Sequence, residues 1–86
     1  MNKKIYIANL SFQTSESDIK TLFSKAGDVA SVKIVRDKQN SKGNSFAFVE
    51  MSTQWEARKA ISMFNKTMLE GNRLLVKEAK VRRGYR

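Results

Sequence analysis

Two short segments of this chain, Ile5-Tyr6-Ile7-Ala8-Asn9-Leu10 and Phe46-Ala47-Phe48-Val49, read as strands that are apolar on both faces. Side chains alternate sides along a strand. Phe46 and Phe48 therefore point one way, while Ala47, Val49 and Met51 point the other; Tyr6 likewise opposes Ile5 and Ile7. One such face belongs in a core. A chain of 86 residues has room for a single two-layered core. The fold must leave the second, ring-bearing face to be covered by something else.

The rest of the chain supplies the other layer. Residues 3–8 alternate β-branched and aromatic positions, which predicts a first strand, with Asn9 to Thr14 as a loop. Ser15-Glu16-Ser17-Asp18 fits a capping box ahead of Ile19, Leu22, Phe23 and Ala26 at helical spacing. Gly27 is expected to stop that helix in a left-handed conformation. Val29 to Arg36 reads as a second strand, with Val32 and Ile34 on one face and Lys33 and Val35 on the other. Asp37 to Ser45 is a polar loop, and residues 46–51 form the third strand. Thr53-Gln54-Trp55-Glu56 is a second capping box, followed by the stripe Ala57, Ala60, Ile61, Phe64 and a stop at Asn65. Met68 to Gly71 reads as a short hairpin arm, and Arg73 to Ala79 as the fourth strand with Leu74 and Val76 inward.

Strand, helix, strand, strand, helix, strand is the order of a split βαβ unit. The expected fold class is α+β: a ferredoxin-like βαββαβ sandwich whose four-stranded antiparallel sheet runs 4-1-3-2. Right-handed crossovers place both helices on one face of the sheet. The first and third strands lie side by side in the centre, which gathers Tyr6, Phe46 and Phe48 into one patch on the open face, with Lys4, Lys33, Val35, Leu75 and Lys77 around them. Residues 1–80 are read as one domain and residues 81–86 as a basic, disordered tail.

Charge and missing residue types narrow the chemistry. Seventeen Lys and Arg against eight Asp and Glu give a net charge of +9, which points to a polyanionic partner. The chain has neither cysteine nor histidine, so thiolate metal sites, disulfides and histidine acid–base catalysis fall away. No cofactor, metal or small-molecule substrate is expected. With no long apolar run and a start that leads straight into a strand, neither a signal peptide nor a membrane span is expected, and a cytoplasmic location is inferred. A flat aromatic face on a basic domain is suited to stacking the bases of a single-stranded nucleic acid.

Both strand segments resemble the paired motifs of the RNA recognition motif (RRM) family, over residues 3–79. Ile5-Tyr6-Ile7-Ala8-Asn9-Leu10 fits the family's hexamer of aliphatic, aromatic, aliphatic, any, Asn, Leu at every position. The octamer, basic-Gly-aromatic-small-aromatic-aliphatic-any-aromatic, aligns with Asn44 to Met51 and fits at its central four residues. Asn44, Ser45 and Met51 stand where a basic residue, glycine and an aromatic are usual. Arg73 to Ala79 is similar to the ending of small single-RRM proteins of bacteria and cyanobacteria. The resemblance implies that Tyr6 and Phe48 each stack on a base and that Phe46 packs against riboses. Lys4, Lys33 and Lys77 would contact phosphates or base edges. Lys42 would replace the basic residue missing at Asn44, on a loop that also holds Lys38 and folds over the bound strand. Asn9 would hold the loop after the first strand. The tail adds Lys80, Arg82, Arg83 and Arg86, with Tyr85 as one more ring.

The leading expectation is a non-catalytic, monomeric module for single-stranded RNA, or for single-stranded DNA, acting in post-transcriptional regulation. The competing expectation is a protein-interaction domain that uses the aromatic face or Trp55, which falls opposite the apolar stripe of its helix. An acylphosphatase-like enzyme on the same topology needs an arginine in the loop after the first strand. That loop reads Asn9-Leu10-Ser11-Phe12-Gln13-Thr14 and has none.

Overall fold

The computed structural model describes residues 2–36 and 45–79. The elements run β1 (Lys4–Leu10), α1 (Glu16–Phe23), β2 (Val29–Arg36), β3 (Ser45–Met51), α2 (Gln54–Phe64), β4 (Met68–Leu69), β5 (Asn72–Arg73) and β6 (Leu75–Glu78). The main sheet is antiparallel in the order β2-β3-β1-β6, and β4 and β5 form a separate two-stranded arm. This is the expected 4-1-3-2 arrangement, with β6 as the fourth main strand.

Alternation decides which face is dry. Ile5, Ile7, Ala47, Val49, Met51, Leu74 and Val76 are buried against Ile19, Phe23, Ala57, Ala60 and Phe64 of the helices. Phe23 and Phe64 meet at 4.8 Å between ring centroids, so the two helices contact each other over the sheet. Both caps form as read: the Ser15 hydroxyl accepts from the Asp18 N–H while Asp18 accepts from the Ser15 N–H, and Thr53 and Glu56 do the same.

Two strand boundaries differ from the sequence reading, each for a physical reason. β1 continues through Asn9 to Leu10, because a bulge sets two residues of β1, Ala8 and Asn9, against one of β3, Phe46: Ile7 pairs with Ala47 and Leu10 with Ser45. The bulge lets Ile7 and Leu10 both face the core although two residues, Ala8 and Asn9, separate them. The fourth strand is split at Leu74, whose N–H and C=O bond to Thr67 and Lys66 at 2.8 Å each, so the α2–β4 connection holds Leu74. The Asn65 side chain then accepts from the Val76 N–H at 3.0 Å, satisfying a donor on the edge strand.

Gly27 does not act as a left-handed helix cap. Helix α1 ends at Phe23 with Ser24 as its right-handed cap, and further turn bonds follow through Lys25 and Ala26. Gly27, at φ +157°, is needed for space. The Glu56 carboxylate accepts from the N–H groups of Thr53 and Asp28, both at 3.2 Å, and so joins the start of α2 to the turn before β2. A Cβ on Gly27 would come within 2.5 Å of the Glu56 Cγ. Gly27→Ala is therefore expected to lower unfolding stability by roughly 1–3 kcal/mol. Urea denaturation checks this, and an unchanged midpoint would remove the assigned role of Glu56.

Candidate nucleic-acid interface

Residues not used by the core form rows across the open face. Tyr6 pairs with Phe48 on one side and with Lys77 on the other, and Phe48 pairs with Lys33. Lys77, Tyr6, Phe48 and Lys33 thus make one row spanning all four strands. The next row carries Leu75 opposite Ala8, and Phe46 opposite Val35. On the other side lie Lys4 and Ser31, each opposite Glu50.

The three rings form a mutual cluster. Tyr6 lies 5.7 Å from Phe46 and 5.6 Å from Phe48, and the two phenylalanines meet edge to face at 5.9 Å. Such pairs favour tilted and edge-on contacts, so each ring braces the other two and keeps a side toward solvent. All three residues are half-buried. Both helices lie on the opposite face, packed against Ile5, Ile7, Ala47 and Val49. The Lys77 ammonium sits 5.7 Å from the Tyr6 ring centroid, which steers a cation over the aromatic patch. Shallow clefts flank Tyr6 on the β6 side, one lined by Phe48, Lys77, Glu78 and Ala79, the other by Ala8, Asn65 and Leu75.

Lys4, Lys33 and Lys77 are exposed on this face, beside the rings as the strand periodicity requires. Lys42, Lys38, Asn44 and the basic tail lie outside the described residues. Ser45 belongs to the core side: it is buried, pairs with Leu10 and Arg36, and does not reach the ring face. Met51 is likewise fully buried. Asn9 has a structural role. It occupies the left-handed region at φ 66°, which asparagine tolerates better than most residues. Its amide donates to the Arg73 carbonyl at 2.8 Å, while Asn72 donates to the Asn9 carbonyl at 3.1 Å. These bonds tie the β1 bulge to β5.

Sequence reading missed the partnership of Phe12 and Arg36. The Arg36 guanidinium donates to the carbonyls of Phe12 at 3.4 Å and Thr14 at 2.6 Å, and lies 5.8 Å from the Phe12 ring centroid. An aromatic in a polar loop was the available signal. Nothing in sequence spacing links it to a strand end so far along the chain.

Comparison with known proteins agrees with the geometry. The family model described as RNA recognition motif matches residues 5–75. Small RNA-binding protein 11, chloroplastic, of Arabidopsis thaliana is 37% identical over 79 residues, covering 92% of this chain and 54% of that protein. The 33 kDa ribonucleoprotein, chloroplastic, of Nicotiana sylvestris is 36% identical over 81 residues, covering 94% of this chain and 25% of that protein. The chain thus spans only part of the length of the curated relatives it matches. Among solved structures, the third RRM domain of Mip6 superimposes with a TM-score of 0.83 at 29% identity, covering 91% of this chain and 93% of that one.

The Ser45 hydroxyl is buried without a hydrogen-bond partner among the described residues. Burial of an unpaired hydroxyl is unfavourable by about 1–3 kcal/mol. Ser45→Ala is expected to leave stability equal or higher and nucleic-acid affinity unchanged. Thermal unfolding and a binding titration check both, and a clear loss of stability would show that the hydroxyl is satisfied in solution. Its motifs, its sheet order and its ring-bearing face together place this chain in the RNA recognition motif family.

Proposed function

We propose that the chain is a non-catalytic module that binds single-stranded RNA across the open face of its sheet. The row Lys77, Tyr6, Phe48, Lys33 carries this reading, because it sets two rings between two cations in one line across four strands. Tyr6 and Phe48 each stack on a base, and Phe46 packs against the riboses between them. Lys4, Lys33 and Lys77 contact phosphates or base edges, and Lys42 joins them from the following loop. The names of the relatives, an RNA-binding protein and a ribonucleoprotein, support the ligand class.

Two stacks at roughly 1–3 kcal/mol each, with a few phosphate contacts, correspond to affinity in the micromolar range, about −8 kcal/mol. The module acts as a monomer in post-transcriptional control. A cytoplasmic location belongs to the same reading, supported by composition. Chloroplast relatives make cell fractionation its test. Among the described residues no helix is long and apolar enough to cross a membrane.

A second reading has one observation in its favour. Trp55 is 70% exposed on α2, where it borders a shallow depression with Gln54 and Arg58. A protein partner gripping this helix would leave the sheet untouched. Residue-resolved titration with mixed short RNAs separates the two, since shifts confined to α2 favour the protein partner.

Tyr6→Ala and Phe48→Ala are each expected to weaken RNA binding by roughly 5- to 150-fold while the domain stays folded. A folded double variant that binds like the parent would end the stacking proposal. With three or four phosphates neutralised, log K should fall with log salt at a slope of about −2 to −3. Salt-independent affinity would contradict the role given to the lysines.

A further inference from the structure

We infer that Glu50 selects guanine at one position of the bound strand: its carboxylate accepts from the N1–H and 2-amino groups of the base while Lys4 donates to O6. The inference deepens the single-stranded RNA reading and rests on it.

Glu50 is the one carboxylate among the described side chains of the ring face, in a chain of net charge +9. On a surface that binds phosphates a carboxylate repels the ligand, so its presence is unfavourable unless the ligand also brings hydrogen-bond donors. RNA carries such donors on its bases. Strand parity fixes the direction of the side chain. Glu50 continues the half-buried positions Phe46 and Phe48 along β3, whereas Val49 and Met51 on either side of it are fully buried. It begins about 7 Å along the strand from Phe48. A base stacked on or beside that ring reaches the row of Glu50.

The register supplies the neighbours. Glu50 stands opposite Lys4 of β1 on one side and Ser31 of β2 on the other, and both are exposed. Adjacent strands lie about 4.8 Å apart. The row therefore presents, in order, an ammonium that only donates, two carboxylate oxygens that only accept, and a hydroxyl that does either. The pairing edge of guanine runs in the same order, with the O6 acceptor, the N1–H donor and the 2-amino donor. No other RNA base sets two donors side by side. Uracil has one N–H between two carbonyls. Adenine and cytosine each hold a ring-nitrogen lone pair beside the amino group, and that lone pair faces the carboxylate when the amino group binds it. Hydrogen bonds to a carboxylate are roughly twice as strong as neutral ones, so the two together govern base choice at this position. Pairing with Lys4 does not exhaust Glu50, because a carboxylate has about four lone-pair sites. Other positions of the strand stay tolerant, since stacking on an aromatic accepts any base.

Fluorescence anisotropy with end-labelled RNA octamers tests the inference, using an all-uridine RNA and three others that carry one guanine, one adenine or one inosine at a central position. Inosine keeps O6 and N1–H and lacks only the 2-amino group. The parent is expected to bind the guanine RNA about 5- to 20-fold more tightly than the uridine and adenine RNAs. It should bind the guanine RNA about 3- to 10-fold more tightly than the inosine RNA. Glu50→Gln sets an amide donor against the 2-amino group and is expected to bring the guanine and inosine RNAs within about twofold of each other. Equal binding of these two RNAs by the parent overturns the inference, as does a Glu50→Gln variant that keeps the parent's preference. Phe48→Ala separates that result from failure of the underlying reading. It should weaken every octamer; if it weakens none, or if the parent binds none, the sheet is not the binding face and the guanine site falls with it.

Discussion

The pairing of β1 with β3 in a single register, Tyr6 opposite Phe48 and Ile7 opposite Ala47, is the constraint on which the other features depend. A slip of one residue in a strand exchanges its two faces. Such a slip in β3 would drive Phe46 and Phe48 into the space filled by Ala47 and Val49, and would turn those small residues outward. The core forbids this on volume alone. Ala47 and Val49 are fully buried beneath two helices, and interiors packed near crystal density leave no room for two phenyl rings. The same packing that stabilises the domain therefore fixes the rings on the open side.

Two asparagines secure the strands around that pairing and serve the interface only indirectly. The bulge at Ala8 and Asn9 allows Leu10 to close the core while Tyr6 and Ala8 keep their outward parity. It requires a residue that accepts positive φ, and Asn9 supplies this together with a bond to the Arg73 carbonyl. At the β6 edge, Asn65 ends α2 and also satisfies the outer N–H of Val76. Two asparagines thus hold the flanks of the strand that bears Tyr6 and of the strand that bears Lys77.

Much of this was legible in the sequence because it depends on short-range rules. Both capping boxes, the two helical stripes, the strand alternation and the outward placement of Tyr6, Phe46, Phe48, Lys33 and Lys77 follow from periodicity and cap chemistry. What was not legible depends on contacts between residues far apart. The need for glycine at position 27 arises from Glu56, in another helix. The break at Leu74 arises from bonds to Lys66 and Thr67. Phe12 read as an ordinary loop residue because its partner, Arg36, is at the far end of β2. Neither local propensity nor a motif encodes such pairs.

The composition of the open face argues for a binder that values strand character over sequence. Its described side chains include three lysines, Lys4, Lys33 and Lys77, against one carboxylate, Glu50. Lysine only donates hydrogen bonds and phenylalanine has none to offer. Stacking and charge therefore supply affinity to any unpaired strand, whereas choice among bases requires acceptors and donors aimed at base edges. On this face those groups are few: the Tyr6 hydroxyl, Glu50 beside Lys4, and Ser31 beyond it.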